Sequence, residues 1–255
     1  MNLFVPDAFH NLQKTGQPSP AALDMIKLVA LLAMLIDHIN TLFLTPAWPV
    51  MYALGRMAFP LFTLIWAMNV QRSPERLQIR ANRLWIWAVI TQPVFSLAFL
   101  EHQPWWAMNI LFVFAGVTQL LALRYRYGQK GNLVGGLLLA LMIFPLQPAS
   151  YGLSGVILAV SLATVTGSSA PEMKRKAAIV AVLSLLCLNG ITHLLSMPAE
   201  TLLLATLPTL VFPLIAMSLC TDLCPAGRQR FMPRHFFYMA YTGHLLVLLI
   251  LEKLW

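Results

Sequence analysis

The sequence predicts an all-α polytopic integral membrane protein with about nine transmembrane helices, its N-terminus cytoplasmic and its C-terminus periplasmic. Three observations predict it. Hydrophobic residues make up 59% of the 255-residue chain and charged residues only 10%, with a mean hydropathy of +0.73; soluble domains carry roughly 25% charged residues. Stretches of about 20 mostly apolar residues, the length that crosses a bilayer, recur along the chain. Basic residues are confined to alternate loops. Too little polar side-chain surface remains to cover a globule in water, which excludes an ordinary cytosolic enzyme, a disordered chain and a secreted disulfide scaffold.

Residues 1–21 contain Asp7, His10 and Lys14 and lack the basic and apolar regions of a signal peptide. They read as a cytoplasmic or interfacial lead-in. Residues 22–255 show no compositional break and read as a single transmembrane domain. Within it the apolar segments fall at 22–45, 49–70, 83–101, 106–124, 132–147, 151–168, 177–197, 201–219 and 235–254. The fifth and sixth are short, and Pro148 with Tyr151-Gly152 marks a tight turn between them.

The loops test this division independently. Arg72, Arg76, Arg80 and Arg83 follow the second segment, and Arg124, Arg126 and Lys130 the fourth. Lys174, Arg175 and Lys176 follow the sixth, and Arg228, Arg230 and Arg234 the eighth. The loops after segments one, three, five and seven hold no Lys or Arg. Cytoplasmic loops attract basic residues, so this alternation sets the orientation. It also accounts for the net charge of +8 without a nucleic-acid partner. The chain carries no zinc spacing, P-loop or G-x-G-x-x-G motif, and Cys187, Cys220 and Cys224 form no C-x-x-C. No metal is expected.

Ionisable residues inside a membrane span cost about 2.5–3.5 kcal/mol each on insertion scales, so each needs a reason. Asp24 and Lys27 lie one turn apart and can pair at the cytoplasmic start of the first helix. Asp37 and His38 lie deeper. A short turn at Pro46–Pro49 follows, and the second segment returns with Arg56. At 1.5 Å per residue, both His38 and Arg56 sit roughly 12–15 Å below that outer turn. The same arithmetic brings Gln92 and His244 near that depth, with Asn109 closer to the outer surface. Polar groups from four segments thus converge in the outer half of the bilayer. Neighbouring residues on a helix do not face each other, so Asp37 is placed to pair with Arg56, leaving His38 available as a base.

Leu23-Asp24-x-x-Lys27, Met34-x-x-Asp37-His38-Ile39 and Gly55-Arg56-x-Ala58-Phe59-Pro60 closely resemble the TraX family, the F-type pilin N-acetylases of conjugative plasmids. The likeness continues through Gln92-Pro93, Asn109-Ile110-Leu111-Phe112, Tyr151-Gly152 and Tyr241-x-x-His244-Leu245, and so covers nearly the whole chain. The family is similar to the wider membrane acyltransferase-3 group, whose first helix carries an Arg, ten residues and then a His. Lys27 and His38 have that spacing, with a point charge in place of a guanidinium.

The resemblance implies acetyl transfer from acetyl-CoA to the N-terminal amine of a processed pilin subunit, in the bacterial inner membrane. On that reading His38 is a general base or an acetyl carrier. Asp37 holds Arg56, and Arg56 or Asn109 stabilises the thioester oxyanion. Gln92, Tyr241 and His244 are auxiliary or substrate-binding. Asp24, Lys27, Arg72, Arg76, Arg80 and Arg83 are the candidates for holding acetyl-CoA. An O-acetyltransferase acting on a glycan or lipid, a proton-coupled transporter and a pilin chaperone without chemistry are the alternatives.

Overall fold

The structure, a computed structural model, describes residues 18–224, 229–233 and 235–254. Most of the expected lead-in, together with Arg228 and Arg234, lies outside them. Every regular element among the described residues is helical. Among the described residues, four helical stretches are long and apolar enough to cross a membrane, namely Pro49–Val70, Leu111–Leu146, Pro198–Leu223 and Phe236–Leu254. The described residues form an all-helical structure with helices of membrane-spanning length.

The first helix, α1 (Pro20–Phe43), starts as its sequence dictates. Ser19 accepts from the Ala22 amide at 3.1 Å and Pro20 occupies the first turn, where its missing N–H costs nothing. The Ser19 hydroxyl also donates to the Cys224 carbonyl, tying this end to a distant part of the chain. At the other end Asn40 clamps the turn, accepting from the Trp48 amide at 2.7 Å and donating to its carbonyl at 3.2 Å. This clamp fixes how the next helix returns along α1.

That returning segment is interrupted. α2 (Pro49–Gly55) ends at Arg56-Met57, and α3 (Ala58–Val70) then continues. Pro60 supplies the reason. It has no amide to offer the Arg56 carbonyl four residues back, and its ring crowds that carbonyl.

α4 (Leu77–Ala98) begins earlier than its apolar run suggests, because Pro74–Arg76 already forms a helical turn that carries the basic residues into the helix. After it, residues 99–110 turn back without regular helix, whereas the hydropathy pattern places a helix from 106. Asn109 decides the difference: its side-chain oxygen accepts from the Leu111 amide and starts α5 (Leu111–Leu146) there.

α5 doubles back on itself. Gly128 has φ 59° and ψ −129°, a conformation open to glycine. Beyond it Gly131 and Gly135 press on Leu123 and Leu120, and Leu139 with Met142 covers Gly116. The Gly131-x-x-x-Gly135 pair therefore serves an intramolecular contact. The first limb is buried on all sides from Leu111 to Thr118, as expected of a central helix in an apolar bundle. The second limb buries Gly135, Leu139, Met142 and Leu146 but exposes Leu133, Leu137, Leu141 and Phe144, a face suited to lipid.

Tyr151 (φ 63°) and Gly152 (φ 45°) make the sharp turn into α6 (Gly152–Gly167). α7 (Pro171–Cys187) stops at the Gly190 turn (φ 85°) before the short α8 (Ile191–Ser196), so the seventh apolar segment is not one continuous helix. α9 (Pro198–Thr201) runs through a wide turn at Leu202–Thr206 into α10 (Leu207–Leu223), and α11 (Phe236–Leu254) closes the chain. The shared core is built from Ile26, Ala30 and Met34 of α1, Phe59 and Phe62 of α3, Ala88 and Phe95 of α4, Val113 and Val117 of α5, Val156 and Ala159 of α6, and Leu245 of α11.

A side chain at Gly131 would collide with the Leu123 carbonyl, whereas nothing lies within 4 Å of a side chain begun at Gly136. Gly131→Val is expected to cost roughly 1–3 kcal/mol through overpacking. Gly136→Val should leave stability unchanged, with thermal unfolding in detergent micelles as the measurement.

Candidate functional site

The Asn40 clamp and the α2–α3 interruption place Arg56 directly across from Asp37. One guanidinium nitrogen, Nη2, donates to both carboxylate oxygens, at 2.7 and 2.9 Å. Gly55 makes the approach possible, since any side chain there would overlap Asp37. The Arg56 guanidinium lies 4.4 Å from the centre of the Tyr52 ring, and its Nε is buried without a hydrogen-bond partner. The pair expected from the depth arithmetic is therefore present, and Nε–H of Arg56 is a buried donor left over.

His38 is the next residue along α1 and turns away from that pair toward α11. Its Nδ1 lies 3.0 Å from Nε2 of His244, with the two rings 12° from parallel and 5.1 Å between centroids, so that they meet edge to edge. Nδ1 of His244 lies in turn 3.0 Å from the Ala240 carbonyl. Phe99 meets the His38 ring edge-on, and Tyr241 is buried beside His244 with 5.5 Å between ring centroids. Thr91 and Thr242, 2.7 Å apart, fasten α4 to α11 at this level.

Gln92 and Asn109 come together away from these rings. The Gln92 carbonyl oxygen accepts from both the backbone and the side-chain amide of Asn109, at 3.0 and 2.9 Å. The remaining Asn109 hydrogen goes to the Ala88 carbonyl, and the Gln92 amide to Ser96 and the Ala107 carbonyl. Asn109 is wholly buried and both of its side-chain hydrogens are spent. Its arrangement is that of a clasp between α4 and α5, which leaves Arg56 with the unspent donor.

At the other end of α1 lies a cavity of about 590 Å³. Lys27, Arg76, Arg80, Arg83 and Arg230 line it, with no carboxylate among the described lining residues. The sequence pointed to the first four; Arg230 was legible only as one basic residue in a loop on the same side of the membrane. Asp24, buried beneath the cavity, holds two of its parts: one oxygen takes Lys27 at 2.8 Å, and the other takes the Met232 amide at 3.2 Å. Arg80 donates to the Asn69 and Val70 carbonyls and so closes the end of α3. Arg72 lies on the exposed turn after α3 and is not among the residues lining the cavity.

The inner wall of the cavity is aromatic. Phe62 and Phe237 meet edge to face at 4.7 Å, with Trp66 and Phe114 beside them. Phe237 precedes His244 by seven positions, about 10 Å along α11 and on the same helix face. Lys27 and His38 are about 16 Å apart along α1 by the same rise per residue. A concentrated positive field thus sits at one end of the helix, and a paired imidazole with a nearby guanidinium at the other. Such a cavity suits a polyanion such as a nucleotide phosphate.

Removing one member of this half-buried ion pair should cost more than removing both, since a charge is then left without its partner. Asp37→Ala is expected to lose roughly 1–3 kcal/mol, and Asp37→Ala with Arg56→Leu less, read from thermal unfolding in detergent.

The family model described as "TraX protein" matches residues 22–252. Protein TraX of Escherichia coli is 36% identical to this chain over 238 residues, covering 91% of the chain and 88% of that protein. Protein TraX of Escherichia coli strain K12 gives the same identity and coverage. No solved structure gives a significant match. With the family model extending over α1, the interrupted α2–α3 segment and α11 alike, and with two relatives 36% identical over 91% of its length, the chain belongs to the TraX family.

Proposed function

We propose that this chain is a membrane-embedded acetyltransferase that moves an acetyl group from acetyl-CoA to the N-terminal amine of a processed conjugative pilin. The observation that carries the reading is the two-ended layout of α1, with the cation-lined cavity around Lys27 and the His38–His244 pair further along the same helix. Family membership supports the pilin as acceptor, through the pilin acetylation the resemblance implies. The proposal includes the orientation read from the basic loops: nine crossings of the bacterial inner membrane, N-terminus cytoplasmic, C-terminus periplasmic. The cavity then opens to the cytoplasm, where acetyl-CoA resides, and His38 lies toward the face where leader cleavage exposes the new pilin N-terminus.

The residues divide the work by charge. Lys27, Arg76, Arg83 and Arg230 hold the phosphates of acetyl-CoA, while Arg80 and Asp24 keep the walls in place. The acyl-bearing arm passes the Phe62–Phe237 contact toward the imidazoles. His38 takes a proton from the pilin ammonium and frees the amine lone pair. The amine attacks the thioester carbonyl, the C–N bond forms and the C–S bond breaks. Arg56 Nε, already buried and unpartnered, donates to the oxygen on which charge develops. His38 passes that proton to the departing sulfur, then takes the second proton of the former ammonium and releases it.

Two outcomes test this. Intact mass of an F-type pilin co-expressed with the protein should rise by one acetyl group at the N-terminus, and His38→Ala should abolish the gain while the protein still inserts and purifies. A His38→Ala variant that keeps most of the activity overturns the assignment of the base, and no gain with the wild type removes that pilin as acceptor. In the purified enzyme, Arg76→Ala with Arg83→Ala should raise KM for acetyl-CoA roughly tenfold or more with kcat nearly unchanged, since charge-assisted contacts of about 1.5–3 kcal/mol are lost from binding.

A further inference from the structure

The hydrogen-bond chain from Ala240 through His244 to His38 contains more information than its distances. A carbonyl oxygen can only accept, so the His244 Nδ1 that lies 3.0 Å from the Ala240 carbonyl carries the hydrogen. In a neutral imidazole the other nitrogen is then the lone-pair acceptor, which makes Nε2 of His244 an acceptor. The group 3.0 Å from it is Nδ1 of His38, and that nitrogen must be the donor. Both rings are thereby fixed in the same form, hydrogen on Nδ1 and lone pair on Nε2. Nε2 of His38 has no hydrogen-bond partner among the described residues.

We propose that His244 is a positioning residue that locks His38 in the Nδ1–H tautomer, so that Nε2 of His38 is the nitrogen that accepts the substrate proton. The inference rests on His38 as the base in acetyl transfer, and it adds which atom acts and what holds it. An imidazole left to itself divides between two tautomers, and only one of them presents a lone pair on Nε2. Alignment by the chain Ala240–His244–His38 removes the idle form and fixes the ring plane, the two rings lying within 12° of parallel. When Nε2 takes a proton from the ammonium, Nδ1–H of His38 strengthens its bond to Nε2 of His244. The positive charge is then shared between two half-buried rings, with the Ala240 carbonyl as the terminal acceptor. No proton is created or lost in this step: one leaves the amine and one imidazolium forms.

The alternatives for His244 are a packing role, or service as the base itself. As the base it would need a lone pair facing substrate, but its Nδ1 is bound to Ala240 and its Nε2 is occupied by His38. Packing alone would not require the nitrogens to be in register.

The tautomer can be read without activity. In ¹⁵N-histidine-labelled protein in lipid at mildly alkaline pH, solid-state NMR should show two rings with protonated Nδ1 and unprotonated Nε2, one of them lost in His38→Ala. In His244→Phe the remaining His38 signal should move to the ordinary mixture of tautomers. A His38 signal with hydrogen on Nε2 in the wild type overturns the proposal, whether or not pilin is the acceptor. In turnover, His244→Phe should lower kcat roughly 10–100-fold, the scale of lost orienting partners, with KM for acetyl-CoA unchanged. His244→Gln places an acceptor oxygen near the Nε2 position and should recover most of that loss. Equal losses in His244→Phe and His244→Gln, or a rise in KM with kcat intact, would overturn the positioning role. Loss of activity in His38→Ala alone, with His244→Phe fully active, would leave acetyl transfer standing and sink only this inference.

Discussion

A guanidinium within an apolar bundle has to meet a carboxylate, and the geometry of the site follows from how that requirement is satisfied. Arg56 reaches Asp37 through a single nitrogen at 2.7 and 2.9 Å, between two helices that touch closely only because residue 55 is glycine. The contact sets both the register and the rotation of α1. Consecutive residues on a helix point about 100° apart at 3.6 residues per turn. Pinning Asp37 toward α2 therefore swings His38 out of that interface and toward α11, where His244 receives it. The Asn40 clamp on Trp48 holds the same register from the turn. The imidazole pair is in this sense a by-product of where the ion pair has to be.

The second organising contact lies at the opposite end of α1. Asp24 is buried and divides its two oxygens between Lys27 and the backbone of Met232. One carboxylate thus joins the helix that carries His38 to the segment that carries Arg230, and the Ser19–Cys224 hydrogen bond reinforces the seam. The cationic wall is assembled from α1, from the 74–84 region and from residue 230, with Arg80 consumed in closing α3. Charge is collected there from several parts of the chain, while the walls between the two ends are aromatic and aliphatic. On the proposed reading this separation keeps a charged ligand head at the membrane surface and admits only its uncharged arm.

Much of this arrangement was legible because a membrane imposes a depth on every residue of a straight helix. Counting from the outer turn sufficed to match Asp37 with Arg56, and counting from helix ends brought His38 to the level of His244. The basic loop pointed to Arg76, Arg80 and Arg83, and the i, i+3 spacing to the Asp24–Lys27 pair. The rest depended on features that hydropathy does not encode. Asn109 was expected as a free donor near the outer surface; it is instead exhausted by Gln92, Ala88 and the start of α5. The reason is the turn at residues 99–110, which buries Ala107 and Asn109 against α4, a tertiary event invisible to a window average. The break at Gly190 and the partition of α5 at Gly128 are set by backbone conformations with positive φ, which an apolar run conceals. Rotation about the helix axis was likewise out of reach, so depth could bring His38 and His244 level but could not show that their nitrogens meet.

The interruption between α2 and α3 also has an electrostatic side. Peptide dipoles in a helix add up to roughly half a negative charge at its carboxyl end and half a positive charge at its amino end. Arg56 stands at the carboxyl end of α2, so the backbone favours a cation there before Asp37 is counted. The first amides of α3 begin two residues later, at Ala58, and present the opposite pole. A break that forgoes a hydrogen bond because Pro60 lacks an N–H thereby supplies two fixed partial charges of opposite sign at one level of the membrane. Unlike side chains or water, these poles cannot reorient when charge builds up on a reacting atom, and they need no proton to exist. The proline that spoils the helix is what makes that polarity permanent.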